Sequence, residues 1–209
     1  YHLLFINPSN HKKLKFKNSN FNKFINYNSK NLLFGLYKKY SYPLKSLVVE
    51  NLDMAKLKSI NFFSSNDKNL GYAVRDDEYL NWRFIESIDF KSYKLFYSEI
   101  SKSKLIIKLN DKNGKNYISV LSQSMMRDKE ELFKMLASLL FWAKNEDYDF
   151  IDFYTSDLTV SNKLMYRFLS PRSYQIFAYH SKNDKIFNQL KSSKYYFDFC
   201  DSDFEKYFE

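Results

Sequence analysis

Two apolar runs joined by an Asn-Gly pair, with a long amphipathic segment after them, constrain the fold of this chain most. The runs "LIIKL" and "NYISVLSQ" flank "NDKNGK", and the Asn-Gly pair favours the tight turn of a β-hairpin. The next segment, "DKEELFKMLASLLFWAKNEDYD", is the strongest helix pattern in the chain, and Asp128 with Glu131 forms a capping-box-like start. Apolar side chains line one face of that helix: Leu132, Leu136, Leu139, Leu140 and Ala143.

The flanking segments extend this pattern on both sides. "RDDEYLNWRF" predicts a helix whose acids lie at its start, where the helix dipole favours them. "YKLFYSEI" and "FIDFYTS" are strand-like, "TVSNKLMYRFL" predicts a second long helix, and "SYQIFAYH" a last strand. The order over residues 76–180 is therefore α-β-β-β-α-β-α-β. It predicts an α+β fold with a mixed, largely antiparallel central sheet flanked by helices.

The chain divides into three segments in this interpretation. Residues 1–42 open on the apolar run "YHLLFI" with Tyr1 in place of Met, which predicts a chain cut from a longer protein. Residues 43–75 form an ordered connector, in which "SLVVE" is strand-like and Asp53 is a natural N-cap for a helix in "DMAKLKSINFF". Residues 76–209 hold the α-β-β-β-α-β-α-β pattern and a tail.

Residue usage argues against several classes of protein. The single cysteine, Cys200, excludes an internal disulfide framework and any zinc cluster built on cysteines. The three histidines have no pair at the i, i+4 spacing of a helix-borne metal site, so we predict no metal. No apolar run approaches the roughly 18–20 residues of a membrane-spanning helix, and no secretory signal pattern is visible. These features favour a reducing cytoplasm.

The net charge of +9 invites a nucleic-acid interpretation. A compositional explanation competes with it, because Lys greatly outnumbers Arg, Asn, Phe, Tyr and Ile are abundant, and Gly and Pro number only 3 each. That bias is typical of a very AT-rich genome. Lys is also the weaker choice for bidentate recognition of phosphates and bases. The charge therefore does not favour a nucleic-acid partner.

Three segments resemble a known family. "RDDEYLNWRF" is similar to the segment R-D-x-x-Y-L-x-W-R-[FY] of bacterial tandem GNAT-like proteins, which are often linked to the modification of surface polysaccharides or sugar amines. "FINPSNHKKLKFKNSNF" resembles the segment that ends their first GNAT unit, and "FDFCDSDFE" resembles their aromatic-rich tail. The resemblance implies that residues 1–42 are the remnant of a first unit, and it predicts pairing with the missing upstream part.

The implied activity is transfer of an acyl group from acetyl-CoA or another acyl-CoA to an amine of a sugar or small metabolite. Such enzymes bind the donor at a splay between their fourth and fifth strands. A glycine-containing loop, Q/R-x-x-G-x-G/A, holds the pyrophosphate at the next helix N-terminus. The matching segment is "SQSMMRDKEEL", with Gln123 and Arg127 as cofactor-binding residues. Both glycines are missing, and Asp128 and Glu131 add negative charge. This departure favours a donor site upstream, with the second unit as a scaffold or acceptor-binding half.

The resemblance also implies two catalytic residues. Attack of an amine on a thioester needs a base for the ammonium group and an acid for the leaving thiolate. Tyr166 in "LMYRFLS" falls where family members often carry a Tyr for this chemistry, and a half-buried core Tyr is the alternative. Glu99 is a candidate base by its position in "YKLFYSEI", and a solvated Glu at the edge of the sheet is the alternative.

Trp82 and Arg83 are the candidate substrate-binding residues. Trp82 could stack on a substrate, although packing that pins its helix to the sheet is the interpretation we favour. Arg83 suits an acidic ligand or the acids of its own helix equally well.

Two other functions stay open. A related tandem fold of the FemAB type uses aminoacyl-tRNA to build peptide bridges, and a positive chain would suit that partner. The other is a non-enzymatic basic domain that binds RNA or an anionic membrane surface.

Overall fold

The computed structural model of the chain describes residues 2–5, 38–60, 70–71, 75–101, 103–112, 114–124, 128–155, 160, 162 and 194–195. The strands are β1 His2–Phe5, β2 Leu47–Asn51, β3 Leu70–Gly71, β4 Tyr93–Ser98, β5 Lys104–Lys112, β6 Lys115–Gln123, β7 Phe150–Phe153 and β8 Lys194–Tyr195. Three α-helices lie wholly within the described residues: α1 Met54–Ser59, α2 Asp77–Leu80 and α3 Lys129–Asn145; residues 38–40 are helical as well. Short 3₁₀ turns occupy Leu44–Ser46 and Phe90–Ser92, and a π-helical turn occupies Asn81–Ile85.

Six strands form one sheet in the order β1-β7-β6-β5-β4-β2. β6 and β7 run parallel, and the other four neighbouring pairs are antiparallel. This confirms the predicted α+β class with a mixed, largely antiparallel sheet. β3 and β8 form a separate parallel pair. The sheet takes strands from each of the three sequence segments, and their division at residues 42 and 75 stays a prediction.

The predicted hairpin is the centre of this sheet. β5 and β6 pair from Leu105 opposite Gln123 to Lys112 opposite Lys115. Gly114 lies in the turn with a φ of 67°, a left-handed conformation that glycine adopts without steric cost. The Asn-Gly pair thus marks the turn, as expected, although Asn113 itself lies outside the described residues.

α3 begins and ends near the residues expected from the sequence. The Asp128 side chain accepts a hydrogen bond of 3.0 Å from the Glu131 backbone N–H, which confirms the N-cap. The reciprocal half of a capping box is replaced, since the Glu131 carboxylate accepts from Tyr42 and Ser101 instead. The five apolar residues predicted to share a face are all buried.

The sheet separates two apolar clusters, which we call the α3 face and the α2 face. On the α3 face, the helix packs on these strand residues: Phe96, Leu105, Ile107, Ile118, Val120, Ile151 and Phe153. On the α2 face, α1 and the α2 segment pack with this second set: Leu57, Ile60, Leu80, Phe84, Tyr93, Leu95, Ile106, Leu121 and Tyr154. The alternation of strand side chains decides which residues share a face.

The helix predicted in "RDDEYLNWRF" is confirmed, with one change of geometry. The Asp76 side chain caps α2 through the Tyr79 backbone N–H at 2.8 Å. Beyond Leu80 the helix widens, and the Glu86 N–H donates to the Asn81 carbonyl at 2.9 Å, five residues back. Despite this widening, Leu80 and Phe84 are both buried on the α2 face.

Two later predictions fall on the less described end of the chain. The helix predicted in "TVSNKLMYRFL" is represented by Val160 and Asn162 alone, and the strand "SYQIFAYH" lies outside the described residues. Within the described ranges, no helix combines the length and apolarity needed to cross a membrane.

Candidate functional site

The parallel strands β6 and β7 separate at one end of the sheet. Their ladder runs from Tyr117 opposite Phe150 to Val120 opposite Phe153, where β7 ends. β6 continues to Gln123, still paired with β5 on its other side. We call this place the fork; it comprises residues 121–123 of β6 and residues 154–155 after β7.

A β-bulge lies at the same position. Ile106 of β5 pairs with Ser122 and Ile107 pairs with Val120, so Leu121 is an extra residue in β6. Bulges redirect the backbone and are frequent beside active sites. In the described ladder no β7 residue stands opposite Leu121, so its backbone groups on that side are outside the β6–β7 pairing. The bulge and the fork thus create one place where a ligand's amide or carbonyl groups could continue the ladder of β6.

Polar side chains at the fork are buried. Ser122 is 1% exposed, and Gln123 and Thr155 are also buried. Arg75 Nη1 donates a hydrogen bond of 2.8 Å to Ser122 Oγ, which brings a guanidinium group to the bulge. Sequence reasoning did not select Arg75 as a site residue. The one feature of the sequence that could have indicated Arg75 is its position as the first residue of "RDDEYLNWRF".

A second polar group lies one strand away on the α2 face. Asp152 of β7 is 3% exposed and stands opposite Ser119 of β6. Asn110 Nδ2 donates to Ser119 Oγ at 3.0 Å. Asp152 was also missed, although an acid inside the apolar run "FIDFYTS" was visible. A carboxylate with so little exposure is costly unless polar partners surround it, and Asp152 does take part in such an interaction.

The N-terminus of α3, which follows the fork, is rich in acids. Asp128 caps the helix, and Glu130 and Glu131 lie in its first turn. The Tyr42 hydroxyl donates to the Glu131 carboxylate at 2.8 Å, and the Ser101 hydroxyl also donates to it. Burial, and then the Glu131 carboxylate, raise the pKa of the Tyr42 hydroxyl above its ordinary value. These acids already occupy the positive end of the helix dipole.

The predicted residues Gln123 and Glu99 lie at the same end of the sheet. Gln123 is the last residue of β6, and its ladder partner Leu105 belongs to the α3 face. Glu99 follows β4 in a turn, is exposed, and its backbone N–H donates to the Ser46 carbonyl at 2.8 Å. β4 is two strands from β6 in the sheet order, which places Glu99 on the order of 10 Å from the fork.

The structure corrects the packing interpretation of Trp82. Its side chain is 59% exposed, and its ring contacts Tyr79 with a centroid separation of 6.0 Å. Phe84 packs on the sheet instead, because it lies on the buried side of the helix. Arg83 is half-buried, and its guanidinium lies 5.9 Å from the centroid of the Phe84 ring. Trp82 therefore faces solvent, and its role in substrate binding stays a prediction.

Two predicted residues cannot be placed at the site. Arg127 and Tyr166 lie outside the described residues, so their roles stay predictions. Among the residues that are described, no three His, Cys, Asp or Glu side chains come together as a metal site would require.

Comparison of the chain with protein-family models, with curated proteins and with solved structures gave no match.

Proposed function

We propose that this chain carries a GNAT-like unit of an N-acyltransferase, which moves an acyl group from a thioester donor to an amine. The observation that carries this proposal is the coincidence of the Leu121 bulge with the fork between β6 and β7. In the resembling family the donor lies between the fourth and fifth strands of the unit. Counted from β2 along the six-stranded sheet, β6 and β7 hold those positions.

The fork suits the chemistry of this transfer. The amine nitrogen attacks the thioester carbonyl, a C–N bond forms, the C–S bond breaks, and the thiolate takes up a proton. A backbone N–H at the bulge would stabilise the negative charge that develops on the carbonyl oxygen. Glu99 and Tyr166 remain the proposed base and acid, and an amino sugar or similar small metabolite remains the proposed acceptor.

The acids of α3 support a further proposal, about which part of the donor this unit holds. In acyl-CoA the reactive thioester arm carries a nucleotide diphosphate at its far end. Asp128 and Glu130 place negative charge at the helix N-terminus where the family binds that diphosphate. We therefore propose that the fork binds the thioester arm and that a second, partner GNAT-like unit binds the diphosphate. The cytoplasm is the proposed location, since acyl-CoA is made and used there.

Binding of two donors tests this proposal. Acetyl-CoA and S-acetylpantetheine share the thioester arm, but only the first has the nucleotide diphosphate. We expect both to raise the melting temperature of this chain, with dissociation constants within about threefold of each other, because a ligand of the native state stabilises it. Release of free thiol after addition of amino sugars measures the transfer itself.

A double variant distinguishes binding of the thioester arm from binding of the diphosphate. Asp128→Asn combined with Glu130→Gln removes two negative charges and keeps a side chain that can cap α3. We expect several-fold tighter binding of acetyl-CoA and no change for S-acetylpantetheine. Absence of both a melting shift and thiol release with either donor would overturn the proposed function.

A further inference from the structure

Two side chains of opposite charge reach the α2 face on either side of the Leu121 bulge. Arg75 is held there by its hydrogen bond to Ser122, the residue after the bulge. Asp152 lies on the neighbouring strand, opposite Ser119, two residues before the bulge. Neither residue has a place in the acyl transfer described above.

Strand alternation puts both charges on the same side of the sheet. Ile151 and Phe153 point to the α3 face, so Asp152 between them points to the α2 face. Ser122 pairs with Ile106, which belongs to the α2 face, and Arg75 approaches from that side. The α3 helix, whose N-terminus is acidic, covers the opposite side.

The strand register gives the separation of the two sites. Ser122 stands opposite Ile106 and Ser119 opposite Lys108, so the two β6 positions are two ladder steps apart. Two steps along the strand and one strand spacing across the sheet separate the backbones of Ser122 and Asp152 by about 8 Å. That separation fits the two ends of a single small metabolite.

We propose that Arg75 and Asp152 bind one acceptor that carries both an ammonium group and an acidic group. This inference rests on the proposed acyltransfer and names its acceptor class. The planar guanidinium of Arg75 suits a carboxylate or a phosphate, which it can bind with two parallel hydrogen bonds. The Asp152 carboxylate suits the ammonium group, and it lies beside Phe153, where the fork opens. The amine is thereby held next to the thioester.

Burial gives the site its selectivity. Asp152 and Ser122 are almost fully buried, and Arg75 and Asp152 both take part in further interactions within the chain. An acceptor must exchange those contacts for its own. A neutral group that displaced the contacts of Asp152 would leave its buried carboxylate without compensation, which is strongly unfavourable. Doubly charged acceptors are therefore preferred over singly charged ones.

Four ligands test the acceptor class without any donor. Glucosamine 6-phosphate carries an ammonium and a phosphate, and muramic acid carries an ammonium and a carboxylate. Glucosamine lacks the acidic group, and glucose 6-phosphate lacks the amine. In calorimetric titrations of the wild-type chain, we expect at least one doubly charged ligand to bind at least tenfold more tightly than both singly charged ones. The comparison between the first two identifies the acidic group.

Conservative variants assign each charge to its residue. Arg75→Gln should weaken the preferred doubly charged ligand about tenfold and leave glucosamine unchanged. Asp152→Asn, which nearly keeps the shape of the side chain, should weaken the amine-bearing ligands and spare glucose 6-phosphate. Lys91→Gln and Asp111→Asn, at exposed positions, serve as matched controls that should change nothing.

The outcomes separate this inference from the function on which it rests. Equal binding of glucosamine and the doubly charged ligands, or no binding of any of the four, overturns the inference. The wild-type comparison decides this even where a variant fails to fold. Thiol release with no preference for doubly charged amines likewise overturns the acceptor class while sparing the acyltransfer. Selective binding without thiol release from either donor supports the acceptor site and counts against the acyltransfer.

Discussion

Tyr42 ties the start of the described 38–60 segment to α3 by three different contacts. Its backbone N–H donates to Ser138 Oγ at 2.7 Å, and its hydroxyl donates to Glu131 at 2.8 Å. The Lys134 ammonium lies 3.9 Å from the centroid of its ring. The Tyr42 side chain is almost fully buried. These contacts therefore hold the segment around Tyr42 tightly against α3.

Tyr42→Phe should therefore reduce the free energy of unfolding by about 1.5–3 kcal/mol, the usual net value of a hydrogen bond to a charged group. The raised pKa of Tyr42 adds a pH dependence. Its protonated form is favoured in the folded state, so its contribution is complete below about pH 10 and is lost as the pH rises through the higher folded value. Urea unfolding between pH 7 and pH 11 measures both effects.

Tyr40→Phe is the matched control, since Tyr40 is exposed two residues away. We expect it to unfold like the wild-type chain at every pH. A Tyr42→Phe variant that keeps the full alkaline loss of stability would show that another group causes it.

At the scale of single elements, two left-handed residues end the central hairpin turn and α3. Gly114 has a φ of 67°, and Asp147, two residues after α3, has a φ of 59°. Next to Asp147, the Tyr148 N–H donates to the Ala143 carbonyl at 2.9 Å and closes the last turn of the helix. Glycine, the residue that this conformation favours, occupies position 114, whereas position 147 has an aspartate.

Substitutions at Gly114 and Asp147 should have opposite effects on the stability of the chain. Gly114→Ala should destabilise the chain by about 1 kcal/mol through backbone strain alone, because a Cβ there would meet no atom within 4 Å. Asp147→Gly should stabilise it by about 0.5 kcal/mol, as the strain of an L residue is relieved. Chemical denaturation measures both. Equal effects of the same sign would contradict the conformational explanation.

The sequence predicts elements with a periodic apolar pattern and a marked end. α3, the β5–β6 hairpin and α1 have these features, since Asp128, Gly114 and Asp53 mark their ends. The exposure of Trp82 was not predictable in the same way. A helical pattern with apolar residues at 79, 80, 82, 84 and 85 leaves open which of them face the sheet.

The site was less predictable than the fold because it depends on register. The Leu121 bulge lies within "NYISVLSQ", where no glycine or proline marks an irregularity. Arg75 and Asp152 are 77 positions apart in the numbering of the chain and come near each other only through the order of the strands. The resemblance implies a role for the neighbouring Gln123, whereas only the pairing of the strands places the two charges near it.

At the scale of the whole molecule, the sheet crosses the boundaries predicted from the sequence. β2 adds five residues of pairing to β4, and Leu57 of α1 and its C-cap residue Ile60 are buried on the α2 face. Both elements belong to the segment predicted as a connector. The segment 76–209 thus receives part of its core from residues that precede it.

Cutting the chain at two places tests this dependence. A chain of residues 76–209 should lose its cooperative thermal unfolding, because it lacks β2 and the buried side chains of α1. A chain of residues 38–209 retains these elements and Tyr42, and we expect it to unfold cooperatively. Circular dichroism during heating distinguishes them. Full cooperativity of the shorter chain would support an independent domain that starts at residue 76.

The pairing of β1 with β7 also has a consequence during synthesis. His2–Phe5 pairs with Phe150–Phe153, a separation of about 150 residues. At ~5–20 residues per second on the ribosome, the first strand waits roughly 8–30 seconds for its partner. Throughout that delay an apolar strand is without its final neighbour, while the local β5–β6 hairpin needs no such wait. The first strand therefore pairs only after β7, the strand that borders the fork, has been synthesised.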